Sequence, residues 1–353
     1  MQTSEQAPST PTVPHFARVP LPAATPAMAP ATPRISTCAI CGQRSPHPSY
    51  PAPEMMHGSR EMFEYFQCAG CGCLQIATVP ERLGDYYGPK YYTSRALPHR
   101  RVIEFLKDRR LEYIATGSGI IGKLATLVWP VNPHAARLAD GLDKDSRVLE
   151  VGCGDAKYLA ALYESGYHHL YGIDPFIAPR RLRQTPFPIE AKTIHEMNPK
   201  DGLFDGILFN HSFEHIADQR QTLQKVRELL APGGQCVIRV PYADSYAWEH
   251  YRTDWVQLDA PRHLFIHTES SARRLAESAG MKLARVRCDS HSLQFWGSEQ
   301  YRQGISLHAK NSYLVNPGRS IFTPEQIAEY QARSEEYNRK NWGDQVEFIF
   351  KAK

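Results

Sequence analysis

The chain contains 353 residues, 42% of them hydrophobic, and carries a formal net charge of +4. Such a length accommodates one large domain and a smaller one. No apolar stretch reaches the roughly 18 residues of a membrane span, and the small net charge gives little reason to expect nucleic acid or an anionic membrane as a partner. We expect a cytoplasmic protein, and the sequence leaves the number of subunits open.

The N-terminal segment, residues 1–35, is rich in Pro, Ala and Thr and holds almost no large apolar side chains. This composition cannot bury enough surface to order itself, and it lacks the continuous apolar core of a secretion signal. We expect it to be a disordered tail. Without a secretion signal, the eight cysteines of the chain indicate reduced thiols or metal ligands and not disulfides.

Five cysteines lie close together after the tail, at positions Cys38, Cys41, Cys68, Cys71 and Cys73. They include two Cys-x-x-Cys-Gly knuckles, which supply four thiolates to a tetrahedral Zn²⁺. The intervening Met62–Gln67 has the pattern of a strand. We predict a structural zinc-ribbon module over residues 36–80, held by Cys38, Cys41, Cys68 and Cys71, with Cys73 as a spare that could replace Cys71. Coincidental free thiols are the alternative.

A tyrosine-rich stretch, Asp85–Tyr92, opens the linker region of residues 81–140. Tyrosines present flat apolar faces and polar tips, which suit stacking on a sugar or quinone as well as packing between two domains. Packing is the preferred interpretation. Helices are predicted over Arg100–Tyr113 and Gly119–Trp129. The second is apolar enough to be a lid or an interface helix, and core packing is the expectation for it.

The next stretch, Val148-Leu-Glu-Val151, has the pattern of a buried strand and ends in a Gly-x-Gly turn before a predicted helix. Gly152 and Gly154 allow positive φ and a close approach of a ligand, and the helix N-terminus directs N–H groups to the same place. With Glu150 placed to take an ammonium, the turn suits a zwitterionic amino-acid group. A dinucleotide is disfavoured because Lys157 occupies the third glycine position of that fingerprint. A turn without a ligand is the alternative.

A second strand, His168–Ile173, ends in Asp174, about 20 residues beyond the glycine turn, where an acid accepts the ribose hydroxyls of a nucleoside. Pro175 and Phe176 are placed to cover adenine. The other predicted elements are helix Ala156–Ser165, strand Phe204–Asn210, helix Gln219–Leu230, strand Gln235–Pro241, helix Glu269–Ala279, strand Lys282–Cys288, helices Ser298–Tyr301 and Pro324–Lys340, and a final antiparallel strand Asp344–Lys353.

This series of motifs resembles the class I S-adenosylmethionine-dependent methyltransferases. The residues that carry the resemblance are Glu150-Val-Gly-Cys-Gly154, Gly172-Ile-Asp174, Phe204-Asp-Gly-Ile-Leu208, His211-Ser-Phe-Glu-His-Ile216 and Leu229-Leu-Ala-Pro-Gly-Gly234. The resemblance implies a Rossmann-like α/β domain with a seven-stranded sheet over residues 141–353 and S-adenosylmethionine as cofactor. It also implies these cofactor contacts: Glu150, Gly152, Cys153, Gly154, Asp174, Pro175, Phe176, His195, Asn210 and His211.

An N-terminal zinc knuckle followed by a tyrosine cluster resembles methyltransferases of which many act in polysaccharide, sugar or natural-product pathways. This resemblance implies O-methyl transfer to a sugar or glycan intermediate, with Zn²⁺ as a second bound group. A quinone or another small natural product is the alternative acceptor. A non-catalytic zinc-ribbon docking protein with a vestigial cofactor fold is the alternative class of protein.

Methyl transfer to a hydroxyl requires a group that removes the acceptor proton. His211, Glu214 and His215 follow the fourth strand at its carboxyl end, where ligands bind in open α/β sheets. The first candidate for general base is His263, and the second is His215. In one interpretation, Asn210 and His211 contact the methionine part of the cofactor while Glu214 and His215 orient the loop.

In the other interpretation, a divalent metal acidifies the acceptor hydroxyl. Its ligands are His211, Glu214, His215 and His263. The spacing resembles the metal-binding segment of small-RNA 2′-O-methyltransferases, from which this chain departs because His211 replaces a glutamate.

An insertion, residues 241–267, separates the fifth strand from the next helix and is rich in aromatic, Arg, His and Asp side chains. They suit a carbohydrate or phosphorylated acceptor through stacking and charge-assisted hydrogen bonds. The alternative is that they attach the insertion to the core. The side chains in question are Tyr246, Trp248, His250, Tyr251, Arg252, Trp255, Asp259, Arg262 and His263.

Overall fold

A computed structural model of the chain describes residues 31–87, 105–106, 109–110, 113, 119–128, 137–177 and 185–353. The strands are β1 Ala31–Thr37, β2 Arg44–Pro53, β3 Met62–Gln67, β4 Leu74–Ile76, β5 Val148–Val151, β6 Leu170–Ile173, β7 Ile189–Glu190, β8 Phe204–Asn210, β9 Leu230–Pro241, β10 Phe265–Ile266, β11 Met281–Cys288 and β12 Gln345–Ala352. The helices are α1 Ile120–Val128, α2 Lys157–Glu164, α3 Gln219–Leu229, α4 Tyr246–Tyr251, α5 Glu269–Ser278, α6 Leu293–Arg302 and α7 Pro324–Arg339.

The N-terminal sheet has the order β1-β2-β3-β4-β10, and its neighbouring strands are antiparallel. Because β1 begins at Ala31, the predicted end of the disordered tail at residue 35 is wrong. Main-chain pairing with β2 orders this segment without an apolar pattern of its own, and Arg34 adds an ion pair with Glu64 at 2.8 Å. Residues 1–30 of the predicted tail lie outside the described residues.

Strand β2 was not predicted, because it contains Pro46, Pro48, Pro51 and Pro53, and a proline lacks the N–H that a central strand needs. The strand pairs with β1 over residues 44–49 and with β3 over residues 49–53. Each half therefore has one bonded edge only. Successive N–H groups point to opposite edges, and the prolines of each half are spaced by two, so their missing donors fall on a single edge.

The second sheet has seven strands in the order β11-β12-β9-β8-β5-β6-β7. Strands β5 to β9 run parallel to one another, whereas β12 is antiparallel to both β9 and β11. The central strand β5 is buried at every position, as expected for a parallel strand covered on both faces. The predicted α/β fold class, a Rossmann-like sheet of seven strands with an antiparallel final strand, is confirmed.

Two element boundaries differ clearly from the prediction. Strand β9 begins at Leu230 and not at Gln235, because the intervening turn residues bulge out of the ladder with β8. Helix α6 begins at Leu293 and not at Ser298. It is buried almost all round, so it lacks the polar face from which a helix start is read. Of the predicted helix Arg100–Tyr113, the described residues are helical and the rest lie outside the described part.

Helix α1 contradicts the expectation of core packing. Its large apolar side chains face outward, with Ile120 80% exposed and Leu127 77% exposed. The buried positions are Gly122 and Ala125, and a Cβ at Gly122 would lie 2.2 Å from the carbonyl oxygen of Arg109. The close approach of that neighbouring backbone therefore selects the small-residue face of the helix for contact.

The two sheets are parts of one structure, because β10 comes from the insertion and pairs with β4. Beside this strand, the Thr268 hydroxyl donates to the Cys71 carbonyl at 2.5 Å, and the Trp248 indole donates to Gln67 at 3.4 Å. The insertion is thus the bridge between the cysteine-containing sheet and the large domain. Within the described ranges, every helix is too short or too polar to cross a bilayer.

Candidate active site and candidate zinc centre

A cavity of about 1060 Å³ opens beside the carboxyl ends of β5, β6 and β8. It is lined by the glycine turn after β5, by Asp174 after β6, and by His211 and His215 after β8. In a parallel sheet these ends lie at one edge, which is where ligands bind in open α/β folds. Three motifs that are far apart in sequence therefore share one cavity, as predicted.

Glycine is needed at Gly152 and at Gly154 of the turn for different structural reasons. Gly152 has a φ of 75°, and a Cβ there would lie 2.5 Å from the Cβ of Ser212. The hydroxyl of Ser212 also donates to the Val151 carbonyl at 2.6 Å, so the two loops are fixed against each other. Gly154 has a φ of 53°, and no described atom lies within 4 Å of its ideal Cβ position. Gly154 thus leaves its backbone open to a ligand.

Asp174 is positioned by the backbone around it. One carboxylate oxygen accepts the N–H of Gly154 at 2.9 Å, and the other accepts the N–H of Phe176 at 2.8 Å. These bonds fix the carboxylate while each oxygen keeps a lone pair for a further donor. Pro175 and Phe176 line the same cavity, and Phe176 is 74% exposed. The arrangement suits a ribose with an adenine beside it.

Two further predicted cofactor contacts, Glu150 and Cys153, are buried and are not among the described residues that line the cavity. Burial raises the pKa of Glu150 well above its ordinary value, and the nearby Asp155 carboxylate raises it further. The sulfur of Cys153 lies 2.9 Å from the place where Gly172 lacks a Cβ. Cys153 therefore packs between β5 and β6, and an ammonium contact at Glu150 stays a prediction.

His195 lines the cavity, with its Nε2 2.9 Å from an Asp218 oxygen. Asn210 does not line it within the described ranges, because its side-chain oxygen accepts from Arg239 at 3.1 Å. The cavity is also lined by Lys192, Asp218 and Thr222, which were not predicted from the sequence. They follow β7 and β8 at the same sheet edge, and β7 is only two residues long, too short to give a strand pattern.

The histidine cluster surrounds one buried carboxylate. Glu214 is fully buried, and neither carboxylate oxygen has a well-formed hydrogen bond within the described structure. The Nδ1 of His211 lies 3.4 Å from one oxygen, and the rings of His215 and His263 are 5.0 Å apart. Burial would raise the pKa of Glu214, but the adjacent imidazoles lower it to about 2.

The tautomers of two histidines follow from their partners. The Nδ1 of His215 lies 2.9 Å from the carbonyl oxygen of Arg262, and the Nδ1 of His263 lies 2.8 Å from that of Gln257. A carbonyl oxygen only accepts, so each Nδ1 carries a proton and each Nε2 keeps its lone pair in the neutral ring. Burial lowers the pKa of His263 to about 4. His263 is therefore neutral at physiological pH.

Of the cluster, His211 and His215 line the cavity, whereas His263 lies behind His215. The hydroxyl of Tyr87, from the tyrosine-rich stretch, lies 3.0 Å from the Nδ1 of His215 and also lines the cavity. Residues 88–92 of that stretch lie outside the described residues.

The aromatic side chains of the insertion attach it to the core. The Trp255 indole donates to Asp344 at 2.9 Å, and the Tyr251 hydroxyl donates to Glu299 at 2.8 Å. With Trp248 and Arg262 they are buried, and none is among the described residues that line the cavity. The interpretation of these four side chains as an acceptor platform is wrong, because their planar faces are used in packing.

The four predicted zinc ligands converge. The sulfurs of Cys38 and Cys71 are 3.6 Å apart, as are those of Cys41 and Cys68. Two sulfurs bound to one Zn²⁺ at about 2.3 Å are separated by about 3.8 Å in a tetrahedron. The side-chain amide of Gln75 donates to the Cys38 sulfur at 2.9 Å, as suits a thiolate. The cluster is compatible with zinc.

The fifth cysteine stands outside this cluster. Its sulfur is buried and lies 3.5 Å from the Leu74 carbonyl oxygen, while Cys71 and not Cys73 lies with the other three sulfurs. The spacing of the cysteines explains why Cys71 and not Cys73 joins the cluster. Cys68 and Cys71 are separated by two residues, as are Cys38 and Cys41 in the first knuckle.

Comparison with known proteins relates part of the large domain to a described family. Residues 132–286 match the family model described as a methyltransferase domain. The chain is 28% identical over 163 residues to an uncharacterized 37.1 kDa protein in transposon TN4556 of Streptomyces fradiae, covering 43% of this chain and 46% of that protein. It is 32% identical over 136 residues to a tRNA U34 carboxymethyltransferase of Idiomarina loihiensis, covering 34% of this chain and 41% of that protein.

The chain thus spans less than half the length of these curated relatives.

Among solved structures, a 1,6-didemethyltoxoflavin-N1-methyltransferase of Burkholderia thailandensis with bound S-adenosylhomocysteine is similar at 20% identity and a TM-score of 0.34, over 54% of this chain and 83% of that one. The sheet order and the matched family model together support a methyltransferase domain with a Rossmann-like fold.

Proposed function

We propose that the protein transfers a methyl group from S-adenosylmethionine to a hydroxyl of a sugar or glycan intermediate. One observation carries the proposal: Asp174 and the glycine turn line the same cavity as His211 and His215. A donor held by the first pair presents its methyl group in the space that the second pair borders. Methyl transfer needs this proximity, since alignment of donor and acceptor supplies much of the rate.

The donor end is assigned to the residues that line the cavity after β5 and β6. Asp174 accepts the ribose hydroxyls, and Phe176 covers the adenine. The methionine part lies against Gly152 and Gly154, whose backbone is accessible from the cavity. The cofactor supplies the methyl group and its own leaving group, so these residues bind and orient without further chemistry.

The acceptor end requires proton removal, since a hydroxyl is a poor nucleophile while it keeps its proton. His211 lines the cavity, and its Nδ1 faces the buried carboxylate of Glu214. A carboxylate behind one imidazole nitrogen favours a proton there, leaves the other nitrogen basic and stabilises the imidazolium once it forms. We therefore place the general base at His211, and His215 and His263 remain the alternatives from the sequence.

The choice of a sugar acceptor rests on the zinc knuckle of the N-terminal module and on the tyrosine pattern of the linker that follows it. Tyr87, from this linker, lines the cavity and contacts His215. A flat phenol beside an imidazole ring suits a polyhydroxylated ring, which combines an apolar face with hydroxyl groups.

The test is a screen for transfer of a labelled methyl group from S-adenosylmethionine. The acceptors are nucleotide sugars, lipid-linked glycans, catechols, quinols and, in view of the named relative, tRNA. Label on a sugar hydroxyl is the expected result, and a His211→Gln variant should bind the cofactor yet transfer at least about 100-fold more slowly. Label confined to quinols, catechols or tRNA would overturn the acceptor class. Cofactor binding without transfer to any acceptor would favour the non-catalytic docking protein.

A further inference from the structure

The buried carboxylate of Glu214 is the feature with the least complete set of partners in the described structure. Neither oxygen has a well-formed hydrogen bond from described residues, since the Nδ1 of His211 approaches one oxygen only to 3.4 Å, and the side chain has no exposed surface. Burying a charge without a counter-charge or donors is costly, and most buried polar atoms in folded proteins are paired. A cation beside Glu214 would remove this cost.

The atoms around Glu214 are arranged as ligands. Glu214, His215 and His263 each offer one atom, and these atoms lie within 4.8 Å of one another. The Nε2 of His263 lies 3.9 Å from a Glu214 oxygen, which is too long for a hydrogen bond. It exceeds by about 0.5 Å the separation of about 3.4 Å between two ligand atoms at about 2.1 Å from a tetrahedral ion, so a small approach of the two side chains would complete the site.

The second interactions of the two histidines match this arrangement. A metal-bound histidine commonly donates its other ring N–H to a carbonyl or carboxylate, which fixes the ring and the tautomer. His215 and His263 both donate Nδ1–H to backbone carbonyls, at 2.9 and 2.8 Å. In the neutral form, each ring thus leaves its Nε2 lone pair available to an ion.

The backbone that carries one of these carbonyls is itself immobilised. The guanidinium of Arg262, fully buried, donates to Asp259 at 2.5 and 2.9 Å, to Glu54 at 3.1 Å and to the Tyr86 carbonyl at 2.9 Å. A rigid outer layer of this kind holds ligand atoms in place before an ion arrives.

We propose that Glu214, His215 and His263 bind one divalent transition-metal ion, of the type of Zn²⁺ or Fe²⁺, with open coordination positions toward the cavity. Two imidazoles and one carboxylate are a donor set that suits these ions. The role of the ion in catalysis rests on the proposed function. The hydroxyl oxygen of the acceptor occupies an open coordination position, and the ion lowers the pKa of that hydroxyl. The proton then passes to His211, the methyl group forms a bond to that oxygen, and the sulfur keeps the electrons of the broken bond.

The first experiment measures metal content of the purified full-length protein by mass spectrometry. Wild type should hold about two equivalents of divalent metal, one of them in the cysteine cluster. Glu214→Gln should hold about one equivalent, whereas His169→Gln, at an exposed position, should hold as much as wild type. Equal metal content in wild type and Glu214→Gln would overturn the proposal.

A titration with Co²⁺ alone keeps the proposal testable where Glu214→Gln is poorly folded. The first equivalent in the cysteine cluster gives the intense near-ultraviolet absorption of thiolate ligation. The second should give weak visible bands without a further rise in that absorption, since its ligands are nitrogen and oxygen. Saturation after one equivalent contradicts the metal site. Methyl transfer by a one-metal protein would leave the proposed function standing, and a two-metal protein that methylates no acceptor would leave only the metal site.

Discussion

The guanidinium of Arg262 lies 3.1 Å from the carboxylate of Glu54, and both side chains are buried. Glu54 belongs to the loop after β2, and Arg262 to the insertion that also carries His263. Glu54 is further held by the N–H groups of His57, Gly58 and Ser59, at 2.9 to 3.0 Å. This ion pair connects the cysteine-containing module to the histidine cluster, because the carbonyl of Arg262 accepts from His215.

Arg262→Met should therefore destabilise the protein strongly. Removing one partner leaves Glu54 and Asp259 as buried carboxylates without their cation, and losses of this type are about 3–5 kcal/mol. The measurement is urea unfolding at pH 7. Arg273→Met removes an exposed ion pair with Glu269 and should cost at most about 1 kcal/mol. Equal losses for the two variants would show that the buried network does not stabilise the fold.

Asp174→Ala should weaken binding of S-adenosylmethionine about 10- to 100-fold, because the ribose hydroxyls lose a charged acceptor worth about 1.5–3 kcal/mol. Titration calorimetry measures the affinity directly. Asp145→Asn, at an exposed position, is the control and should bind as wild type does. Unchanged affinity in Asp174→Ala would remove the ribose from this place.

The two glycines of the turn should respond differently to alanine. Gly152→Ala combines a strained φ with overlap at Ser212 and should lower the free energy of unfolding by at least about 2 kcal/mol. Gly154→Ala has room within the protein and should cost only about 1 kcal/mol, but its methyl group projects into open space where the cofactor is placed. Urea unfolding and cofactor titration of both variants test this: a larger stability loss for Gly154→Ala contradicts it.

The cysteine cluster should lose its zinc when one knuckle is removed. Cys38→Ser combined with Cys41→Ser deletes two of four thiolates, and structural zinc contributes about 10–16 kcal/mol to modules of this kind. We expect a loss of about one equivalent of zinc by mass spectrometry. Cys73→Ala changes a buried thiol outside the cluster and should keep the metal. Zinc retained in the double variant would exclude these cysteines as ligands.

Acid should destabilise the fold partly through His267. Its ring is buried between Ser271 and Gln219, at 2.9 Å from each, and burial lowers its pKa to about 4. An unfolded histidine has a pKa of about 6.5, so the unfolded state binds the extra proton first. The stability that this neutral ring contributes is present above about pH 6.5 and is lost as the pH falls toward 4.

The lost contribution is at most about 3 kcal/mol. Urea midpoints measured at pH 7.5 and pH 5 should therefore differ less in His267→Gln than in wild type. A His168→Gln variant, which changes an exposed ring, should keep the full difference. An unchanged difference in His267→Gln would assign the acid sensitivity to other groups.

Much of the large domain could be predicted, because its strands are short apolar runs and its turns carry glycines. Strand Phe204–Asn210 has the predicted bounds, and Asp174 lies in the same cavity as the turn. The fold of the insertion could not be predicted, since the sequence around Trp248 and Trp255 is the same whether these side chains bind a ligand or pack in the core. Only their partners, Gln67 and Asp344, decide between the two.

The role of each residue in the histidine cluster also could not be predicted from the sequence. The spacing brought His211, Glu214 and His215 together, but which ring faces the cavity depends on the positive φ of His211, 54°, and on a carbonyl at position 262. Similarly, the exposed face of α1 depends on the backbone that approaches Gly122, which no local pattern records.

Strand β10 gives the cysteine-rich module its last strand from a segment nearly two hundred positions later in the chain. After a protease cut beyond residue 80, the pairing of β4 with β10 would still hold the two fragments together without a covalent link. Their separation would require unfolding of the shared sheet.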